Sequence, residues 1–499
     1  MNYKKQLCYI ILSILLLLFN KLYSQSASKK PNILIILADD LGYKDLSCYG
    51  SSFYETPNLD ALAKDGIKFN NAYAANPVCS PTRAALLTGK YPTKTGITDW
   101  IVGRQAKGKA KPYEKLIAAE TSYQLNLSET TFAEYALTQG YATFFAGKWH
   151  LGEEEKFWPQ HQGFTINKGG FGAGSPKGKI NDSTGAFFTP YNNPMLSDGP
   201  KGEYLTDRLT NECIEFIASN KNKPFLLFHS LYAVHNPLQA PKNLIEKYKL
   251  KKQKLGIKDE ERFTKSEAWM QNEKDWKTRL VQDNPAYAAM IENMDWNIGR
   301  IIAELKENGL YDNTLIIFTS DNGGLSTAEG SPTALLPLKA GKGWLYEGGI
   351  KVPFIFKWGK NSKVNIEVNT PINTIDIYPT IAKAINKNYK KPSAIDGSSL
   401  IDIVASPANF YKRNLIWHYP HYSNQGGKPS AAIREGNFKL IYFYEDEHIE
   451  LYDIEKDIAE LNNISLTNES KVFDLKQKLL NWLNKNAKDN FKQNPNFIH

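Results

Sequence analysis

Four largely apolar runs frame the chain: Ile33 to Ala38, Ala142 to Ala146, Phe225 to Phe228 and Leu315 to Phe318. The first and last, apolar on both faces, predict central strands of a parallel sheet covered by helices; Phe225 to Phe228 reads as another buried strand and Ala142 to Ala146 as a strand running into a loop. Polar residues follow each run: Asp39-Asp40, Lys148-Trp149-His150, His235-Asn236-Pro237 and Asp321-Asn322-Gly323. Open α/β sheets gather their ligands beyond the carboxyl ends of such strands. Tyr287, Ile291, Met294, Ile298, Ile301 and Leu305 recur at helical spacing and predict one long core helix. Residues 241–284 mix Lys, Glu, Asp and Gln and read as an insertion of solvated helices. After a Lys-, Asn-, Pro-, Gly- and Ser-rich stretch at 385–410, Phe438–Phe443 and Ile449–Tyr452 read as antiparallel strands. Val472, Leu475, Leu479 and Leu483 predict a closing amphipathic helix. The pattern therefore predicts an α/β protein: a large domain over 25–400 with a mostly parallel central sheet, and a small C-terminal α+β subdomain over 401–499 with an antiparallel sheet.

One segment between these runs carries candidate chemistry. Cys79-Ser80-Pro81-Thr82-Arg83 continues through Ala84-Ala85-Leu86-Leu87-Thr88 to Gly89. Pro81 suits the first turn of a helix and Gly89 its C-terminal stop. Cys79 then lies at the helix N-terminus, where free N–H groups and the helix dipole favour an anion, with Arg83 one turn on. Those features suit a tetrahedral oxyanion; they also suit a buried cysteine beside a structural arginine. Asp39, Asp40, Asp321 and Asn322 offer oxygen donors without imidazole or thiolate, which suits Ca²⁺ over Zn²⁺, with Mg²⁺ also fitting. If the extended backbone continues past Gly147, Lys148 and His150 share a face.

Composition narrows the partners. The 499 residues carry a net charge of +9, which falls to +6 without Lys4, Lys5 and Lys21. No basic cluster interleaved with aromatics suggests nucleic acid. Residues 1–24 read as an export leader: Lys4 and Lys5, an apolar run from Tyr9 to Phe19, and a cleavage site at Leu22-Tyr23-Ser24. That run is too short to span a bilayer, so the expectation is an exported protein, periplasmic or secreted, without a stable membrane anchor. Of four cysteines, Cys48, Cys79 and Cys213 remain after cleavage, too few and too scattered for a disulfide framework.

Cys-x-Pro-Thr-Arg followed by Thr88-Gly89 resembles the signature of the formylglycine-dependent (type I) sulfatases. Further blocks follow in that family's order: Asp39-Asp40, Gly147-Lys148-Trp149-His150-Leu151-Gly152, His235-Asn236-Pro237, Asp321-Asn322-Gly323-Gly324 and Ala340-Gly341-Lys342-Gly343. The resemblance implies an alkaline-phosphatase-like large domain. It implies oxidation of Cys79 to formylglycine by a maturation enzyme, and a Ca²⁺ (or Mg²⁺) ion held by Asp39, Asp40, Asp321, Asn322 and the modified residue 79. It further implies sulfate contacts from Arg83, Lys148 and Lys342, a proton from His235 to the leaving oxygen, and a proton taken from residue 79 by His150. The implied substrate is a sulfated oligosaccharide, as in exported bacterial polysaccharide sulfatases, with ulvan or carrageenan foremost. Glycosaminoglycan or mucin glycans are the alternative, and a formylglycine-dependent phosphonate or phosphodiester hydrolase a further one. Asp99 and Arg104 follow the Cys79 helix closely, and His418 and His421 stand among aromatics in what reads as a loop before the C-terminal strands. All four are expected at substrate-binding positions, since loops on a rigid sheet carry specificity.

Overall fold

The structure, a computed structural model, describes residues 3, 6, 30–118, 120–177, 185–258, 262–265, 277–359, 364–487 and 491–498. The apolar run and cleavage site of the expected leader lie outside them. Among the described residues no helix is long and apolar enough to cross a membrane.

Strands β1 (Asn32–Ala38), β2 (Ile67–Phe69), β3 (Ala142–Gly147), β4 (Ile166–Lys168), β5 (Phe225–Ser230), β6 (Thr314–Ser320), β7 (Phe354–Trp358) and β8 (Ile366–Val368) form one sheet. Their order is β8-β2-β7-β6-β1-β5-β3-β4. Only β7 runs against its neighbours. The apolar runs become its centre because both faces are covered. Leu34 and Ile36 of β1 pack with helices α1 (Pro57–Lys64), α4 (Leu205–Ser219) and α6 (Pro285–Glu307). The alternate residues Ile33, Ile35 and Leu37 pack with α2 (Cys79–Thr88), α3 (Phe132–Thr138) and α7 (Ile377–Ile385). The helical stripe from Tyr287 to Leu305 is fully buried along α6.

Register lines up the strand ends. Ala38 pairs with Ser320, Leu37 with Ser230, and Ser230 with Gly147, so the segments after β1, β3, β5 and β6 leave one edge side by side. Gly147 has φ +115° and a Cβ there would meet the Ser230 carbonyl oxygen at 1.9 Å, so only glycine lets β3 end against β5.

Residues 242–284 differ from the expected set of solvated helices. Among the described residues they hold one helix, α5 (Lys242–Leu255), whose Tyr248 is fully buried, and a short pairing of Phe263–Lys265 with Lys277–Arg279. Tyr248, with Leu244 and Ile245, packs one face of this Lys-rich helix onto the core, an apolar stripe that the charge density obscured.

Strands β9 (Asn414–Tyr419), β10 (Ser430–Glu435), β11 (Phe438–Phe443) and β12 (Ile449–Asp453) form a separate antiparallel sheet. Of the segment read as a loop, Trp417, His418 and Tyr419 therefore belong to β9, while His421 and Tyr422 lie in the loop that follows it. One face packs on Leu475, Leu479 and Leu483 of α8 (Glu469–Asn486). The other, through Trp417, Tyr419, Ala432 and Ile441, packs on Tyr73, Trp344 and Ile350. Beside that apolar contact lies a buried ionic cluster. The Lys439 ammonium is 3.0 Å from Glu347 and 2.8 Å from Glu460, all three with fully buried side chains. The second sheet thus braces the 340–352 segment.

Candidate active site

Helix α2 begins at Cys79, and Gly89 ends it in the left-handed conformation at φ 69°, its N–H bonded to the Ala85 carbonyl at 2.8 Å. Cys79 is buried, and its Sγ lies 3.4 Å from His150 Nδ1. The expected extended path from Gly147 to His150 is not followed. The strand stops at Gly147 and His150 turns left-handed at φ 58°, which still brings its ring over Cys79. His150 Nε2 faces the Ile101 carbonyl at 2.6 Å, so that nitrogen carries the proton and Nδ1 offers its lone pair to residue 79. Ser80 Oγ ties the two strands of this contact, donating to the His150 carbonyl at 3.0 Å and accepting from the Ile101 N–H at 3.2 Å. Burial, then the Lys148 ammonium, holds the His150 imidazole well below its usual proton affinity, so it is neutral.

Arg83 reaches from the same helix into the sheet edge. Its Nε donates to Asp321 Oδ2 at 2.9 Å and Nη1 donates to the Lys148 carbonyl at 2.9 Å and Ser230 Oγ at 2.7 Å. Lys148 pairs with both Asp39 oxygens at 3.0 and 2.8 Å, and Lys342 with both Asp40 oxygens at 2.8 Å. The Asp40 N–H donates to Asp321 Oδ1 at 3.2 Å, and Asn322 Nδ2 donates to Asp40 Oδ1 at 2.8 Å. His235 Nε2 lies 3.5 Å from Asp40 Oδ2, while its Nδ1–H donates to the Asn236 carbonyl at 2.7 Å. The aligned strand ends therefore bring Asp39, Asp40, Cys79, Arg83, Lys148, His150, His235, Asp321, Asn322 and Lys342 to one place. Ser230, not singled out from the sequence, joins them; the signal was a polar residue ending β5, as Ser320 ends β6.

The electrostatics are those of a crowded acidic centre. Burial, against the Lys148 charge and with Asp321 beside it, raises Asp39 well above the usual carboxylate range. Burial opposes ionisation of Asp40 and Asp321 too, but Lys342 holds Asp40 low and Arg83 lowers Asp321. Burial presses His235 down to about 3 against the pull of Asp40. Asp39, Asp40 and Asp321 face Lys148, Lys342 and Arg83 respectively. Asn322 Oδ1 is buried with no hydrogen-bond partner. Hard oxygen donors, crowded carboxylates and that orphaned amide oxygen fit a divalent cation. Asp39, Asp40 and His235 also group within 4.8 Å as potential ligand atoms, so an imidazole adjoins what the sequence suggested was an all-oxygen set.

A cavity of about 520 Å³ opens onto Cys79, His150, His235 and Lys342. Its wall includes Trp100, Glu153, Glu329, Asn424 and Gln425. None of the four expected substrate-binding residues lines it. Asp99 is spent inside the protein, accepting from the Tyr419 hydroxyl at 3.1 Å and the Trp100 N–H at 2.9 Å, and burial raises its carboxyl to about 7. Arg104 pairs with the buried Glu114 at 2.6 Å and donates to Asn424 Oδ1 at 3.2 Å, which places it behind the wall. His421 bonds Thr98 Oγ1 at 2.9 Å and, with Asp99, lines a neighbouring cavity that meets the first at Val102. His418 is buried in β9 against the Tyr444 hydroxyl at 2.9 Å. The wall residues Glu329, Asn424 and Gln425 were missed; they sit in loops without periodicity, and no sequence pattern pairs residue 329 with 425.

Comparison with known proteins agrees with this geometry. Residues 31–387 match the sulfatase family model, and residues 340–489 match the model of the N-sulphoglucosamine sulphohydrolase C-terminal region. A sulfatase of Formosa agariphila is 32% identical, covering 93% of this chain and 90% of that protein. Human steryl-sulfatase is 28% identical over 81% of this chain and 75% of its own length. The crystal structure of Ps i-CgsB in complex with k-i-k-neocarrahexaose aligns with a TM-score of 0.73 at 28% identity, covering 92% of this chain and 94% of that one.

Proposed function

The chain belongs to the sulfatase family and is a sulfuric ester hydrolase, and from that premise we propose that it desulfates oligosaccharides, using residue 79 as nucleophile. The observation that carries this reading is the meeting of Cys79, at a helix start, with the neutral His150 and a buried set of three cations and three carboxylates. Oxidised to formylglycine, residue 79 supplies a hydrated aldehyde as nucleophile, and a Ca²⁺ or Mg²⁺ ion held by Asp39, Asp40, Asp321, Asn322 and residue 79 supplies positive charge for the sulfate oxygens.

The protein's own groups divide the remaining work. Arg83, Lys148 and Lys342 are placed to offset charge on sulfate oxygens, and burial strengthens each contact. His150 Nδ1 accepts a proton from the oxygen at position 79, its other nitrogen being committed to Ile101. His235 handles the proton of the leaving oxygen. Neutral in the free site, its imidazole gains proton affinity when the ester's negative charge enters beside it, with Lys342 as the neighbouring acid.

The glycan substrate rests on the cavity of about 520 Å³ above residue 79 and on the neocarrahexaose bound by Ps i-CgsB, which favours a carrageenan-type substrate. The same proposal includes a division near residue 400, export through the N-terminal leader and dependence on a maturation enzyme. The experiment is peptide mass spectrometry of residue 79 combined with turnover of 4-nitrophenyl sulfate, phosphonate esters and a panel of sulfated oligosaccharides. Aldehyde at position 79, with sulfate turnover far above phosphonate turnover and lost in Cys79→Ala, supports the reading. Full activity with an unmodified thiol, or faster phosphonate hydrolysis, refutes it.

A further inference from the structure

The catalytic centre deals with one sulfate, but the cavity mouth carries a feature that the sulfate chemistry leaves unused. Glu329, Gly330 and Ser331 lie consecutively in the left-handed region, at φ 53°, 85° and 41°. Two non-glycine residues in that region are costly to maintain, so the surroundings must hold them. The fixings are visible. Asn236, next to His235, donates its side-chain N–H to the Glu329 carbonyl at 3.1 Å. The Ser331 N–H bonds the Ala328 carbonyl at 2.8 Å, Ser331 Oγ bonds the Lys277 carbonyl at 2.7 Å, and Arg279 Nε donates to the Ser331 carbonyl.

This clamped turn pushes an exposed carboxylate into the wall of the cavity. Its orientation is set from behind by Gln425. Gln425 Oε1 is taken by Ser423 Oγ at 2.6 Å and its backbone carbonyl by the Trp344 indole and the Thr327 hydroxyl, so Gln425 Nε2 points at Glu329 Oε1 and donates to it. The second oxygen, Oε2, has no described partner. The same cavity is lined by Trp100, whose buried Nε1–H is also without a hydrogen-bond partner. A fixed carboxylate accepts from hydroxyls and repels sulfates. Because the turn is bound to Asn236, that carboxylate stands on the side of the site where His235 meets the leaving sugar oxygen.

Resting on the sulfatase reading above, we propose that Glu329 is a specificity residue: it accepts a hydrogen bond from a free hydroxyl beside the sulfated carbon and excludes sugars that carry a second sulfate there. The enzyme then acts on esters flanked by an unsulfated position, and enzymes that remove or never add the neighbouring sulfate must precede it.

The test uses wild type, Glu329→Ala and Glu329→Gln on 4-nitrophenyl sulfate and on paired methyl glycosides of galactose, glucosamine and fucose. Each pair is a monosulfate with free neighbouring hydroxyls and the same sugar with a second, vicinal sulfate. They are assayed by turnover or as competitive inhibitors of 4-nitrophenyl sulfate hydrolysis. In the accepted series wild type favours the monosulfate. Glu329→Ala lowers kcat/KM, or weakens inhibition, by roughly ten- to hundred-fold for that sugar, a loss at least ten times larger than the loss on 4-nitrophenyl sulfate. Glu329→Gln gives the sharper result. Gln425 fixes the acceptor end, so the new amide turns its N–H₂ into the cavity and the vicinal disulfate gains relative to the monosulfate. Equal losses on aryl and sugar esters, a wild-type preference for the disulfate, or indifference of every enzyme to all pairs while 4-nitrophenyl sulfate is turned over would each overturn the proposal. Failure of the underlying sulfatase reading looks different: wild type with aldehyde at position 79 would hydrolyse no sulfate ester at all.

Discussion

Replacing Lys439 by methionine isolates what the C-terminal sheet does for the site. The ammonium touches Glu347 at 3.0 Å and Glu460 at 2.8 Å, and all three side chains are fully buried. Methionine preserves most of the volume, so the loss is one of charge rather than packing. What remains is a pair of carboxylates facing each other, with Lys351 3.7 Å from Glu347 Oε2 and the Tyr73 hydroxyl donating to that same oxygen at 2.8 Å. Breaking a buried ion pair by deleting one partner costs about 3–5 kcal/mol. The sign of the pH dependence follows from Glu460. Burial, opposed by Lys439, raises its carboxyl to about 7 in the folded protein, above its ordinary 4.5. Folding therefore binds a proton between those values, and stability falls as pH rises through this window. Without the ammonium the folded value climbs further and the penalty extends to higher pH. Urea unfolding at pH 5.5 and 8 should show Lys439→Met losing about 1–2 kcal/mol at the lower pH and about 3–5 at the higher. A loss below about 1 kcal/mol at pH 8, or one equal at both pH values, would refute the account.

Three further outcomes follow from the site. His235→Ala should cost about 10²–10⁴-fold on a sulfated sugar and far less on 4-nitrophenyl sulfate, whose leaving group needs no proton, whereas His150→Ala should cost similarly on both; equal patterns in the two variants would dissolve the assignment. Added Ca²⁺ should raise the Tm of chelator-treated protein, by about 2.7 kcal/mol of stability at a hundredfold excess over Kd, and Asp39→Asn should abolish that shift; a Tm blind to Ca²⁺ and Mg²⁺ would count against the cation. Arg104→Ala leaves Glu114 buried without its 2.6 Å partner and frees Asn424, so oligosaccharide turnover should fall together with a Tm loss; lost turnover with unchanged Tm would instead make Arg104 a direct substrate contact.

The clustering of these side chains was legible because each part of it follows from a short stretch of sequence. A strand apolar on both faces followed by Asp39-Asp40, or by Asp321-Asn322, says where those side chains emerge, and the parallel pairing of β1 with β6 then makes them neighbours. Cys79 and Arg83 are likewise fixed by one helical turn. The same locality explains the misplaced residues. Asp99 and Arg104 looked like ligands for a sugar because nothing nearby in sequence revealed Tyr419, 320 positions away, or the claim of Glu114 on the guanidinium. His418 looked like loop chemistry because one histidine among aromatics has no period, yet β9 pairs Trp417 with Ala432 and His418 with Ala431. The cavity wall is built from turns at residues 100, 329 and 425, and the last two are joined by side-chain hydrogen bonds from Gln425 to Glu329 and from Thr327 to the Gln425 carbonyl, across 96 and 98 positions. A sulfate-cleaving centre on strand ends and a specificity wall on distant turns are thus held by different physics: pairing register for one, side-chain clamps for the other. Substitutions such as Glu329→Gln can therefore change which sugar enters without moving the atoms that cleave it, and that independence is what the paired-glycoside assay measures.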